Sequence, residues 1–188
     1  MAILPYTYYP EVKAGRVFYG STAAGGVALP ISTGTAVTFA LWNTDPGKVM
    51  IPLWFSAAYA SGVIVVSQIG FTTQTVGLTG GATGLPVAAY TAGTAKNANS
   101  GSGYNSTATF IPATATLTAG NAAGVPVYYT GMQFNTTTAG NGAYWMDHEF
   151  NGRIILQPGQ IMFACGNAAQ TALLSMTLAW DELPIASM

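Results

Sequence analysis

Gly152-Arg-Ile-Ile-Leu-Gln157, Pro158-Gly159, Gln160-Ile-Met-Phe-Ala-Cys165, Gly166-Asn-Ala-Ala-Gln170 and Thr171-Ala-Leu-Leu-Ser-Met-Thr-Leu-Ala-Trp180 follow one another near the end of the chain. In the last of these, Leu173, Ser175, Thr177 and Ala179 alternate with Leu174, Met176, Leu178 and Trp180. A period of two is the pattern of a strand, and Pro-Gly supplies a tight turn. The stretch therefore predicts strands over 152–157, 160–165 and 171–180, in antiparallel succession, closed by Asp181-Glu-Leu-Pro184.

Upstream, the same grammar recurs. Thr35, Val37, Phe39 and Leu41 alternate with Ala36, Thr38, Ala40 and Trp42, and Asn43-Thr-Asp-Pro-Gly47 has the chemistry of a turn. Residues 48–56 and 62–69 are near-continuous apolar runs, as expected of strands covered on both faces. The uncharged region 49–71 has the length of a membrane span, but Pro52, Gly62, Ser67 and Gln68 interrupt it, and two sandwich strands account for it without a bilayer. The outward residues of the longer uncharged run 49–95, among them Leu53, Phe55, Ile64 and Val66 or their alternates, are expected to form an apolar patch that a partner covers. Residues 77–103 and 114–124 are rich in Gly, Ala, Thr, Asn and Ser, which predicts long surface loops. Residues 1–30, with Tyr6, Tyr8 and Tyr9 between Pro5 and Pro10, read as an extended aromatic arm that docks on a neighbour or on its own sheet, and residues 31–188 as one β-sandwich domain.

Composition agrees. The 188 residues include 23 Gly and ten Pro, which disfavour helices, and 50% are hydrophobic, enough for a sizeable core. Five Lys and Arg face six Asp and Glu, so only 6% of the chain is charged, against about 25% in ordinary soluble domains. A surface so poor in charge implies coverage by copies of itself or by another protein. Lys13, Arg16, Lys48, Lys96 and Arg153 are scattered along the chain, which disfavours nucleic acid as a partner. The N-terminus lacks the basic and apolar regions of a secretory signal, predicting synthesis in the cytoplasm.

The C-terminal pattern of strand, Pro-Gly turn, apolar strand, small-residue loop and a strand ending in Trp180-Asp-Glu-Leu-Pro184 resembles jelly-roll β-sandwich virion proteins of tailed bacteriophages. The resemblance covers about the last 35 residues. It implies an all-β, jelly-roll-like antiparallel sandwich, assembly as a homotrimer, and a place on the virion as a capsid decoration or cement protein, or as a fibre.

Candidate sites are few. Asp147-His148-Glu149 holds the sole histidine, but neighbours on a strand point to opposite faces, so a solvated turn is expected rather than a metal site. No Gly-x-Ser-x-Gly elbow is present. Asp181 and Glu182 diverge as strand neighbours, whereas glycoside hydrolysis needs two carboxyls that converge across a sugar. Cys165, in an apolar run, reads as a buried thiol. Trp42, Trp54 and Trp180 are expected in the core or an interface, and Trp145 is expected to be exposed.

The expectation is a non-enzymatic structural protein without cofactor or metal. Its partners would be the major capsid protein and itself, with contacts through Tyr6, Tyr8, Tyr9 and Trp145, and neither nucleic acid nor membrane. The alternative is a head-fibre or tail receptor-binding module, or a bacterial carbohydrate-binding domain, whose loops and Trp145 contact glycans.

Overall fold

The computed structural model describes residues 8–78, 87–89, 92–117, 127–134 and 145–187. A short helix, α1 (Tyr9–Lys13), precedes β1 (Val17–Ser21), β2 (Ala36–Trp42), β3 (Lys48–Ser61) and β4 (Ser67–Thr75). Then come β5 (Val87–Ala89), β6 (Lys96–Asn97), β7 (Thr109–Leu117) and β8 (Val127–Phe134). The chain continues through β9 (Trp145–Glu149), β10 (Gln160–Gly166), β11 (Leu173–Pro184) and a 3-10 turn, Ile185–Ser187. The protein is all-β, with two antiparallel sheets packed as a sandwich. The first has the order β6-β1-β11-β3-β9 and the second β5-β7-β2-β10-β4-β8.

The topology follows from a nested set of pairs. β1 pairs with β11, β2 with β10, β3 with β9 and β4 with β8, all antiparallel. The first four strands thus meet the last four in reverse order, as in one long hairpin, and successive strands fall in alternate sheets. Wrapping a hairpin in this way produces the eight-stranded jelly roll. β5, β6 and β7, from the segment between β4 and β8, extend the two sheets beside β2 and β1.

The inward faces supply a core dominated by aromatic rings. Trp180, Phe110, Phe39, Phe55, Phe71 and Phe150 are fully buried and touch in succession, with centroid separations from 4.9 to 5.9 Å. Phe39 enters this row through a bulge in β2, where its φ is 52° and the register shifts between Thr38 and Ala40. Left-handed backbone at an aromatic residue costs about 1–3 kcal/mol, which the surrounding rings must offset. A second buried cluster, including Val37, Ala40, Trp42, Ile111, Phe163 and Cys165, lies on the other face of the second sheet. Both faces of β2 and β10 are therefore buried, which explains their nearly unbroken apolar sequences.

Three expectations need correction. Residues 152–157 are not a strand. Asn151 and Gly152 both have left-handed backbone, the chain crosses there from the first sheet to the second, and only Leu156 bridges, to Met50. The Pro158-Gly159 turn is formed, with Gly159 at φ 80° and the Gln160 amide donating to the Gln157 carbonyl. Nor is 1–30 an arm throughout: β1 lies between β6 and β11, and Leu29 is in the core. Leu53, Phe55 and Ile64 are buried within this chain, Phe55 and Ile64 in the core between the sheets and Leu53 in the wall of a cavity beside Tyr8 and Glu11; Val66, 46% exposed, does face out.

Candidate functional site

The outward face of the first sheet is assembled by cross-strand register, since residues directly opposite one another share a face. Tyr19 and Ser21 of β1 lie opposite Ala179 and Thr177 of β11. These lie opposite Trp54 and Ser56 of β3, which in turn face Glu149 and Asp147 of β9. Ala58 faces Trp145, which opens β9 and is 72% exposed. The middle of this face thus carries uncharged side chains, small apart from Trp54, with a Ser21–Thr177 hydroxyl pair at 2.9 Å. An exposed tryptophan and two carboxylates stand at the β9 edge, with Tyr19 at the opposite side.

Of the other expected contact residues, Tyr6 lies outside the described residues, as does the side chain of Tyr9. Tyr8 precedes α1, which rests on its own sandwich rather than reaching away. A cavity of about 400 Å3 there is lined by Tyr8, Glu11, Ile51, Leu53 and Asp181, among others. The Tyr8 hydroxyl and one Glu11 carboxylate oxygen are buried without a hydrogen-bond partner. Burial, reinforced by nearby Glu149, pushes the Tyr8 phenol above its ordinary range.

Asp147-His148-Glu149 is not a turn but the last three residues of β9. Asp147 and Glu149 are exposed on the outer face, while His148 points between the sheets, so the three do not converge on one ion. The imidazole packs edge-on against Phe150 at 5.1 Å, and its Nε2 lies 3.1 Å from the Tyr128 hydroxyl. That hydroxyl also accepts a hydrogen bond from Arg153 Nη1 at 3.1 Å. The phenol thus links the imidazole to the Arg153 guanidinium. Burial, then the Arg153 charge, holds the His148 pKa below its ordinary value against the opposing pull of Glu149.

Asp181 and Glu182 do diverge, and each is occupied. Arg16 forms a two-pronged contact with Asp181 at 3.1 and 3.2 Å. Burial nonetheless pushes the Asp181 carboxyl up, against the pull of Arg16. Glu182 is buried, which by itself would raise its pKa, yet hydrogen bonds from Ser106 at 2.6 Å, the Thr107 amide and hydroxyl, and Lys48 at 3.1 Å outweigh that and hold it low. It binds the loop before β7 to the end of β11. Sequence reading missed this hub because its partners lie some 75 residues away. Trp42 and Trp180 are buried and Trp54 is half-buried. Cys165 is buried, with its thiol pushed up to about 12 by desolvation.

No family model, no curated protein and no solved structure matches the chain. The two-sheet antiparallel sandwich is the level at which it is classified.

Proposed function

We propose that this chain is a non-enzymatic structural protein of a tailed-bacteriophage virion that decorates the outside of the capsid and stabilises it through subunit contacts. The observation that carries this reading is the middle of the outer face of the first sheet, uncharged at Tyr19 and Ser21 of β1, Thr177 and Ala179 of β11 and Trp54 and Ser56 of β3, and bordered by exposed Trp145. Such a face, on a chain with 6% charged residues, is suited to being covered by protein. Covering it removes apolar surface from water at about 25 cal/mol per Å2, less the cost of association. No covalent chemistry is needed.

The resemblance to jelly-roll virion proteins, carried now by residues 158–184 since 152–157 form no strand, supports the phage setting, with the major capsid protein and further copies of this chain as partners. Mixing the purified protein with empty capsids and pelleting them tests the reading. The protein is expected in the pellet at a fixed ratio to capsid subunits, and Trp145→Ala is expected to weaken its retention roughly tenfold, a value typical of an exposed aromatic anchor. Failure of the wild-type protein to pellet with any capsid of its own phage would sink the proposal. A receptor-binding or carbohydrate-binding module remains the second reading, favoured by the exposure of Trp145 on an edge strand.

A further inference from the structure

At the β6 edge of the first sheet, the loop 98–105 folds back beside Gly15 and leaves a cleft on each side of Tyr104. One, of about 360 Å3, is lined by Tyr19, Lys96, Asn97, Ser100 and Asn105. The other, of about 250 Å3, is lined by Arg16, Phe18, Lys48, Asn105 and Glu182. Tyr104 stands between them, 69% exposed, and Tyr19 is 42% exposed. The larger cleft falls within the ~300–1,000 Å3 range of small-molecule sites.

We propose that this double cleft binds a neutral oligosaccharide, with one sugar ring against Tyr104. Three observations carry it. First, Tyr104 is exposed but held. The Ser102 hydroxyl accepts from the Tyr104 amide at 3.1 Å, and Asn97 Nδ2 donates to the Gly15 carbonyl at 2.7 Å and to the Tyr104 carbonyl at 3.3 Å. Gly15, at φ 73°, allows this approach, since a Cβ there would lie 2.9 Å from the tyrosine ring. A tyrosine whose backbone is held in place has only its side-chain torsions to order when a ligand stacks on it.

Second, hydrogen-bonding groups remain unused around that plane. The side chains of Ser100 and Asn105, the Lys96 ammonium and the two tyrosine hydroxyls make no hydrogen bond among the described residues, and all line the larger cleft. Amide, hydroxyl and ammonium groups beside an aromatic face match the alternating hydroxyl and C–H faces of a pyranose.

Third, all but one of the cations that line the clefts are paired. Arg16 is paired with Asp181 and Lys48 with Glu182, so the one cation that lines either cleft without an ion pair among the described residues is Lys96. A single ammonium is too little for a nucleic-acid backbone, and with no second unpaired cation beside Lys96 among the described residues the cleft has no cationic cluster that would select a polyanionic ligand. The proposal is independent of capsid binding.

The test is an array carrying neutral oligosaccharides of glucose, galactose, mannose and N-acetylglucosamine beside sialylated and uronic-acid glycans, followed by calorimetric titration of the best neutral sugar. Wild type is expected to bind at least one neutral oligosaccharide. Tyr104→Ala should weaken this binding roughly tenfold or more without moving the melting temperature, while Tyr104→Trp retains it and changes its fluorescence on titration. Binding only to acidic glycans, or to none, overturns the proposal. So does neutral-sugar binding that Trp145→Ala abolishes and Tyr104→Ala leaves intact, which would place the sugar at the other edge of the sheet. Should Tyr104→Ala fail to fold, the fluorescence of Tyr104→Trp decides: no change at saturating sugar overturns the assignment.

Discussion

His148 shows how a residue with no catalytic partners still has a definite state. Its imidazole is neutral in the fold, held there by burial and by Arg153. A histidine whose folded pKa lies below its unfolded value favours the fold while both states are neutral. As pH falls through about 6.5 the unfolded chain takes up a proton that the folded chain resists, and stability declines until the pH passes below the folded pKa. Wild type is therefore expected to lose more stability between pH 7 and pH 5 than His148→Gln, in thermal melts at matched ionic strength; parallel curves would refute this. Sequence reading had placed His148 in a solvated turn. The alternation across Asp147-His148-Glu149 was legible, but which face was inside depended on Tyr128 and Arg153, residues that only folding brings near.

At the scale of elements, β1 is the clearest departure from expectation. Val17-Phe-Tyr-Gly-Ser21 is short and lies next to turn-like sequence, so nothing local marks it as an interior strand. Its place comes from partners far along the chain, with Phe18 opposite Trp180 and Gly20 opposite Leu178. Gly20 matters because a Cβ there would meet the Phe110 ring at 2.6 Å, across the sandwich. Gly20→Ala is expected to cost about 1–3 kcal/mol by overpacking, read as a lower urea midpoint. Gly25→Ala, with nothing within 4 Å of the new methyl group, is the control and should leave the midpoint nearly unchanged. Equal midpoints for the two variants would contradict the close approach. By contrast β10 and β11 were legible, since long runs of apolar or alternating residues carry their own period.

For the whole molecule, the scarcity of charge and the outer face of the first sheet point to the same kind of association. Of the expected patch, Leu53, Phe55 and Ile64 are buried within the chain, whereas Val66 and the alternates Ile51, Trp54 and Val63 keep exposed or half-exposed surface. Under the proposed function self-association is expected, with the number three taken only from the resemblance to virion proteins, and with Thr177, in the middle of the uncharged part of that face, at or near the interface. Sedimentation equilibrium should then give a trimer for wild type and a smaller species for Thr177→Lys, with thermal stability of the fold changed by no more than about 0.5 kcal/mol beyond the loss of association. A monomeric wild type at micromolar concentration would reject self-association as the use of this face. The amino-acid sequence by itself determined the fold class, the main apolar strands, the Pro158-Gly159 turn, the buried thiol of Cys165 and the exposure of Trp145, because each is written in local periodicity, turn chemistry or composition. Only the tertiary structure decided the nested strand pairing, the inward face of His148, the closed accounts of Asp181 and Glu182, and the clefts beside Tyr104. These depend on residues distant in sequence meeting across two sheets, and local pattern carries no record of which distant strand will be the neighbour.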